Sequence, residues 1–520
     1  MTRKYLYLIA GVATAALMAG SPGAFAQTAV NQNATEDATV TNGTSSAPNS
    51  ITSRSIGLGS SASISASGAV SATSATAINS DFNAPTIGTV TQGAKNTGTV
   101  TNFGAVAFTD SSTIGTGSAV SIGATGAATA VSIGDTTTSG TRSFTGQSIG
   151  NINQGGAAED YPYPVSNTAG VSNTGTIGVS SGNAVSLSGN GAAASVSATG
   201  AAASVSSTSI NSNFASPNYI ASSASGLGTI GQTVTNTGQV TNTSGSVGSS
   251  GTPGVTLGAL SGDGSSVSVG ATGAAAAVSV ASIGTTGGYG TTVGNVSQTV
   301  NNTLTGSASV SNTGNVSTGD LSGAGASASV GATGATAAVS VASIGGTGGA
   351  GTTVGNVTQS TNNQTSAGVT NTGIVSPGTI SGIGAGVSIS ATGGLNSVSL
   401  SSIDGSGTAV ANTVGTIGQT TTNAGAVNNT GVINSTALTG VGSSANISAT
   451  GAASSVSASS INETAIGIPS LGNITQATTN YGGSPVTNTG SISLTSVGNG
   501  ANAAISAVGA GSYVSFRSVH

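Results

Sequence analysis

A short phrase of the form (A/G)-(T/S/V)-G-(A/G), with alternating Val/Ile and Ser beside it, occurs eight times in this chain. Successive copies are separated by 58, 74, 73, 61, 59, 58 and 58 residues. The phrase glycines are Gly68, Gly126, Gly200, Gly273, Gly334, Gly393, Gly451 and Gly509. A period this long is typical of stacked architectures in which each repeat contacts only its neighbours.

The composition favours strands over a conventional globular core. Only 3% of the 520 residues are charged, 85 are Gly, and the 36% that are hydrophobic are mostly Ala and Val. Few bulky side chains are present to fill a core, and the low charge argues against ordinary disorder. Small and β-branched residues suit strands that stack closely. We therefore expect an all-β repeat protein.

The N-terminus has the pattern of a secretory signal peptide. Arg3 and Lys4 precede an apolar run over residues 5–19, and Ala24-Phe25-Ala26 provides a small-x-small cleavage site before Gln27. Residues 1–26 are predicted to be removed on export, which places the chain outside the cell or at its surface, with the periplasm left open. The apolar run is too short for a spanning helix, and no other stretch is long enough.

The charge balance disfavours polyanionic partners. After removal of residues 1–26, four basic residues face eleven acidic ones, a net charge near −7. So few cations do not neutralise a phosphate backbone or an anionic membrane, so no nucleic-acid or membrane partner is expected. The chain has no Cys, so its stability must come from backbone pairing and stacking rather than from disulfides.

Within each unit the glycine phrase is flanked by strand-like alternation. Over residues 387–391, Val387, Ile389 and Ala391 lie on one face of a predicted strand. The return run over residues 398–403 alternates and then slips by one residue before Ile403, which predicts a bulge or corner there.

Two further phrases recur with the same period. One carries a glutamine, at Gln92, Gln154, Gln232, Gln298, Gln359, Gln419 and Gln476. The other reads Val-x-Asn-x-Gly, with small departures, and its asparagines are Asn102, Asn173, Asn242, Asn312, Asn371, Asn429 and Asn488. Asn close before Gly predicts a tight corner, because both residues tolerate positive φ.

Three phrases in about sixty residues predict three coils of about twenty residues in each unit of a parallel β-solenoid. Val and Ile columns would fill its interior, and Asn and Gln columns would form amide ladders. About twenty-five coils at about 4.8 Å each predict a rod of roughly 100 Å. Period-2 alternation also fits an antiparallel hairpin stack with Ala-Thr-Gly-Ala turns, which stays the alternative.

The repeat region covers residues 57–520, and the repeat spacing is interrupted in few places. Insertions fall near residues 135–170 and 211–226, and residues 27–56 read as a polar segment or an N-terminal cap. The first insertion contains Tyr161 and Tyr163 beside prolines, which predicts a loop outside the stack and a candidate contact for a partner. The last copy runs to the terminus without a visible cap, which suggests end-to-end self-association.

The sequence offers no constellation for catalysis or for a cofactor. The one histidine is His520, and paired carboxylates occur only at Glu36-Asp37 and Glu159-Asp160, where neighbours on a strand point to opposite faces. Isolated aspartates beside glycines predict turns rather than calcium loops. We expect no catalytic, cofactor-binding or metal-binding residues. A polysaccharide-active enzyme would need acidic and basic groove residues that this chain lacks.

The asparagine phrase, as in Val171-Ser172-Asn173-Thr174-Gly175, resembles those of secreted bacterial β-strand-repeat adhesins of the haemagglutinin and autotransporter-passenger type. This resemblance implies a β-helix at the cell surface with a role in adhesion, biofilm or extracellular matrix. The Gln and Asn phrases are more faintly similar to curlin-type functional amyloid repeats, which implies the alternative of a self-assembling extracellular fibre subunit. The expected function is a secreted, rod-like structural or adhesive scaffold.

Overall fold

The computed structural model describes residues 26–519 with internal gaps. The gaps are residues 79–85, 110–112, 138–147, 156, 159–160, 163, 180–184, 212–218, 221–227, 245, 248–251, 287–291, 305–307, 348–352, 365–367, 405–412 and 463–469. The described residues form β-strands joined by turns and bends, without a helix. The all-β class predicted from composition is confirmed.

Eight long strands pair side by side in one parallel sheet, here called the long sheet. They are Ser61–Ile78, Ala119–Thr137, Ala193–Asn211, Ser266–Thr286, Ser327–Thr347, Gly386–Asp404, Ser444–Asn462 and Asn502–Val519. Each contains one phrase glycine, and each pairs with the equivalent strand of the neighbouring unit, as in Val196 beside Val269. One unit of about sixty residues is therefore one coil of a parallel β-solenoid, and the stack has eight coils.

Shorter strands form two more sheets opposite the long sheet. The first sheet contains Ala26–Glu36, Thr86–Asn96, Ser148–Ile149, Ile152–Gln154, Val165–Asn167, Tyr219–Ile220, Ile230–Asn236, Thr292–Val293, Val296–Asn302, Thr353–Val354, Val357–Asn363, Thr413–Val414, Ile417–Asn423, Ser470–Leu471 and Ile474–Asn480. The second sheet contains Val40–Asn42, Asn49–Ser53, Val100–Phe108, Val171–Val179, Val240–Ser244, Val255–Thr256, Ser309–Asn312, Val316–Ser317, Gly368–Asn371, Ile374–Ser376, Val427–Asn429, Val432–Asn434, Val486–Asn488 and Ser491–Ser493. Each coil passes through the first sheet, the second sheet and then the long sheet.

Small two-stranded pairings complete the fold. Thr113–Ile114 pairs with Ser186–Leu187 and Thr379–Ile380 with Ala437–Leu438, both in parallel between coils. Ala157–Ala158 with Tyr161–Pro162, and Ser246–Val247 with Thr252–Pro253, are antiparallel hairpins. Residues 26–53 supply the first-sheet and second-sheet strands of the first coil.

The apolar core lies between the long sheet and the two shorter sheets. The first half of each long strand packs against the second sheet, as Ile122 does near Val106 and Ile177. The second half packs against the first sheet, as Val131 does near Val90. The side chains are small, and burial is nearly complete: these five residues are at most 2% exposed.

A glycine corner leads into every long strand. Gly59, Gly117, Gly191, Gly264, Gly325, Gly384, Gly442 and Gly500 each lie two residues before a long strand, with φ between 64° and 74°. L-residues with side chains are disfavoured at this φ, so glycine allows the chain to turn there.

Two sequence predictions about the coil are wrong. The sequence predicted coils of about twenty residues and a rod of roughly 100 Å. The structure has eight coils of about sixty residues, which form a stack roughly 35 Å tall. Its long strands are about 60 Å in length. The antiparallel alternative fails because Ala-Thr-Gly-Ala lies inside a parallel strand, where Thr125 pairs with Thr199 and Ala127 with Ala201. The protein is a broad slab rather than a long rod.

The slip predicted before Ile403 is also misplaced. Val387, Ile389 and Ala391 are buried as predicted. The alternation of buried and outward-facing residues shifts by one residue at Gly393, because Gly393 and the residue after it are both buried. Alternation then continues through a buried Ser402, which leaves Ile403 on the outside, 43% exposed.

Candidate functional site

The most distinctive feature of the interior is a continuous ladder of glutamine side chains. The Nε2 atom of each glutamine from Gln92 to Gln476 donates to Oε1 of the glutamine one coil earlier, and the first acceptor is Gln32. The seven donor–acceptor distances are 2.7–3.0 Å. The same Nε2 atoms also donate across the core, as from Gln359 to the Ser397 carbonyl at 3.0 Å. The sequence predicted this ladder.

The Val-x-Asn-x-Gly asparagines form a second ladder. Six bonds of 2.9–3.4 Å connect Asn42, Asn102, Asn173, Asn242, Asn312, Asn371 and Asn429. Each Nδ2 donates toward the next coil, the direction opposite to that of the glutamines. The six members from Asn102 to Asn429 are fully buried. They lie in strands, and the described glycines of the phrase are not among those with positive φ, so the prediction that this phrase marks positive-φ corners is wrong. Asn488 lies in the same column of the last coil and donates to the Ser506 carbonyl.

A third ladder was missed from the sequence. It runs through Asn96, Asn167, Asn236, Asn302, Asn363, Asn423 and Asn480, with Nδ2-to-Oδ1 distances of 2.6–2.9 Å. These residues recur with the same period as the glutamine phrase, and that periodicity was a usable signal. They lie at the ends of the first-sheet strands and face the middle of the long strands.

The third ladder explains the phrase glycines. A Cβ atom built on Gly126 would lie 2.4 Å from Oδ1 of Asn167 and 2.5 Å from the carbonyl oxygen of Gly200. The first seven phrase glycines all have an asparagine of this ladder and a neighbouring backbone carbonyl at such distances, and Gly509 in the last coil has none. The phrase is therefore a packing requirement of the buried amides, not a turn or a ligand site.

One ladder atom lacks a partner. Asn96 Oδ1 is buried without a hydrogen bond. The residue paired with Asn96 in the first coil is Glu36, where every later coil has an asparagine. An ionised carboxylate has no N–H to donate, so the ladder cannot extend to the first coil.

Replacing Glu36 by Asn is expected to raise the free energy of unfolding by about 1–2 kcal/mol, because the new Nδ2 would satisfy Asn96 Oδ1. Urea denaturation of the purified protein measures the change. Asp37→Asn is the matched control: Asp37 accepts from Thr97 Oγ1 at 2.6 Å on the exposed surface and does not reach the ladder. An equal gain from Asp37→Asn would assign the effect to charge rather than to the ladder.

The tyrosine-containing insertion leaves the stack at one point in the first sheet. Gln154 pairs with Gln232 and Val165 with Val234, so residues 155–164 stand where the next coil has Thr233 alone. The hairpin includes Tyr161, whereas Tyr163 lies outside the described residues. In the second interruption, Tyr219–Ile220 pairs with first-sheet strands of both adjacent coils.

A polar hollow on the outer surface spans four coils. Asn301, Asn362, Thr422, Ala424 and Tyr481 are among the residues that line about 430 Å³ of open space. Ala424 occupies the turn position that Gln364 and Tyr481 hold in the two neighbouring coils, and its side chain is smaller than theirs. Tyr481 is 55% exposed. Amides, a hydroxyl and an aromatic ring offer hydrogen bonds and an apolar face without any charge.

The described residues contain no group of three or more His, Asp or Glu arranged to hold a metal ion. Nor does that part of the chain include a helix with the length and apolar character needed to span a membrane. Comparison with protein-family models, with characterised proteins and with solved structures found no match. The fold and its interior define a parallel β-solenoid stabilised by three amide ladders.

Proposed function

We propose that the chain is an exported structural protein that serves as an adhesive scaffold at the cell surface or in the extracellular matrix. The observation that carries this proposal is that most buried amide side chains are used in ladders that run along the stack. Gln359, for example, joins Gln298, Gln419 and the Ser397 carbonyl at once. Such a core supports rigidity rather than chemistry.

The outer face of the long sheet also supports a scaffold role. One outward column carries Thr125, Thr199, Thr272, Thr333, Thr392 and Thr450. A second carries Ser74, Ser132, Ser206, Ser279, Ser340, Ser399, Ser457 and Ser515. These hydroxyl columns are uncharged and regularly spaced, a surface suited to repeated weak contacts with a neutral polymer or another surface.

Adhesive specificity would come from the places where the regular surface is interrupted. The hollow beside Tyr481 and the hairpin that includes Tyr161 are two such places. Aromatic and amide side chains on a rigid scaffold are common binding elements. The resemblance of the asparagine phrase to secreted adhesins agrees with this assignment.

The test is a strain that lacks the protein, complemented with the full chain or with variants. We expect the deletion to reduce surface attachment and full-length protein to restore it, with the exported form beginning at Gln27 by mass spectrometry. Tyr481→Ala and removal of residues 156–163 should lower attachment at unchanged protein level, whereas Ser381→Ala, on an exposed turn outside the hydroxyl columns, should not. Unchanged attachment in the deletion strain, or retention of the protein in the cytoplasm, would refute the proposal.

A further inference from the structure

The two ends of the stack differ in how the apolar side chains of their long strands are covered, and Ile64 in the first coil is only 7% exposed. In the last coil Ile505, Val514 and Phe516 are 51%, 47% and 65% exposed. Their partners one coil earlier, Ile447, Val456 and Ala458, are at most 5% exposed. The core columns of the protein thus end in an open apolar face.

The backbone at this face is also available for pairing. The strand Asn502–Val519 is the last of the long sheet and has 18 residues, and the strand Ser61–Ile78 at the opposite edge also has 18. Each of these two edge strands pairs with its neighbour through equivalent residues along its whole length, and in both strands the phrase glycine is the one position without a paired residue. A parallel edge of this length is a template for another strand.

The glutamine ladder and the third ladder each have a direction, and the two ends of each are complementary. Glutamine bonds point toward the first coil, which leaves Gln476 Oε1 as an acceptor at the open face and Gln32 Nε2 as a donor at the other end. The third ladder points the opposite way and ends in Asn480 Nδ2, while its position in the first coil is the carboxylate of Glu36. Each end therefore supplies what the other lacks.

We propose that a second copy of this chain covers the open face. The last coil of one copy stacks on the first coil of the next in parallel, with Ser61 opposite Asn502 and Ile64 opposite Ile505. Gln32 donates to Gln476 across the junction, and Asn480 donates to Glu36. The contact joins different surfaces and does not close, so it builds a filament that rises about 38 Å per molecule. This goes beyond the scaffold role, which a single slab also serves.

Joining two open faces instead is disfavoured by the same ladders. A tail-to-tail pair would bring the Oε1 atoms of two Gln476 residues together, although both Nε2 atoms already donate to Gln419 and to the Tyr513 carbonyl. Two acceptors would then meet with no hydrogen between them.

The absence of cysteine permits a direct test of the register. In residues 27–520, Ser63→Cys and Ala504→Cys occupy the same outward column, so across the junction their Cα atoms would lie about 5 Å apart, within disulfide range. Oxidation of a mixture of the two single variants should give a disulfide-linked dimer, and the double variant a series of multimers. Pairing Ser63→Cys with Ser506→Cys shifts the register by two residues and should give little product.

A blocking variant separates assembly from folding. Ile505→Lys with Val514→Lys places two charges on the open face, where both side chains are already exposed, so the melting curve should change little while filaments disappear in electron micrographs. A single sedimenting species with the mass of one chain, at every concentration of unsubstituted residues 27–520, would overturn the proposal. So would efficient cross-linking of Ala504→Cys to itself, or equal yields from the shifted pair.

Discussion

Gly273→Ala is expected to destabilise the protein by about 2–4 kcal/mol, although it adds only one methyl group. The new Cβ would lie 2.5 Å from Asn302 Oδ1 and 2.5 Å from the carbonyl oxygen of Gly334. The asparagine cannot move away freely, because its side chain bonds to ladder members on both sides, at 2.9 Å and 2.8 Å. The backbone carbonyl belongs to the next long strand and is fixed by parallel pairing. Relief therefore requires either a broken amide bond or separated strands.

Gly270→Ala is the matched control for this substitution. Gly270 lies three residues earlier on the same strand and faces outward, and its Cβ would come no closer than 3.6 Å to the carbonyl oxygen of Gly331. Alanine also limits the unfolded chain more than glycine does, so this variant should be neutral or slightly stabilising. Urea denaturation of both variants compares the free energies of unfolding. Equal losses at the two positions would show that the amide ladder does not impose the phrase glycine.

Columns of identical residues made part of this fold predictable from sequence. A buried amide ladder needs the same side chain at the same place in every coil, so the recurring glutamines and asparagines indicated stacking and favoured parallel pairing, while the antiparallel alternative stayed open. The same rule, applied strictly, also gives the coil length. Gln298 recurs as Gln359 after 61 residues and not after twenty. Only a coil of about sixty residues therefore places one of these glutamines directly above the other.

Other features of the fold could not be predicted, because runs of small residues do not show which side chains of a strand point inward. Ala198, Gly200 and Ala201 are all buried. The alternation of inward and outward side chains therefore shifts by one residue between Gly200 and Ala201. A run of small residues does not reveal this shift in the sequence. The slip before Ile403 was predicted because Ile403 is apolar, yet the position of a residue along the strand, and not its type, sets the direction of its side chain. The third ladder lies in a segment where Asn also precedes Gly, and turn chemistry offered a competing explanation for the same residues.

Gln359→Leu is expected to lower the free energy of unfolding by about 2–5 kcal/mol, since it interrupts the glutamine ladder in the middle of the stack. Leucine nearly preserves the volume of the side chain. Gln298 Oε1 loses its donor at 2.8 Å, and Gln419 Nε2 loses its acceptor at 2.7 Å. Gln419 keeps its bond to the Ser455 carbonyl, but Gln298 Oε1 loses the donor from Gln359, and Gln298 is only 1% exposed. A buried acceptor without a partner costs more than the bond itself contributed.

The same substitution at Gln364 tests whether the ladder is the cause. Gln364 is five residues further along the same coil and is exposed at the outer hollow, so Gln364→Leu should change stability by less than about 0.5 kcal/mol. Thermal unfolding and urea denaturation measure both variants, and hydrogen exchange shows where the loss falls. Faster exchange should be confined to the coils that contain Gln298, Gln359 and Gln419, because a stacked repeat transmits a defect mainly to its neighbours. Uniformly faster exchange along the stack, or equal losses at Gln359 and Gln364, would contradict the role assigned to the buried amides.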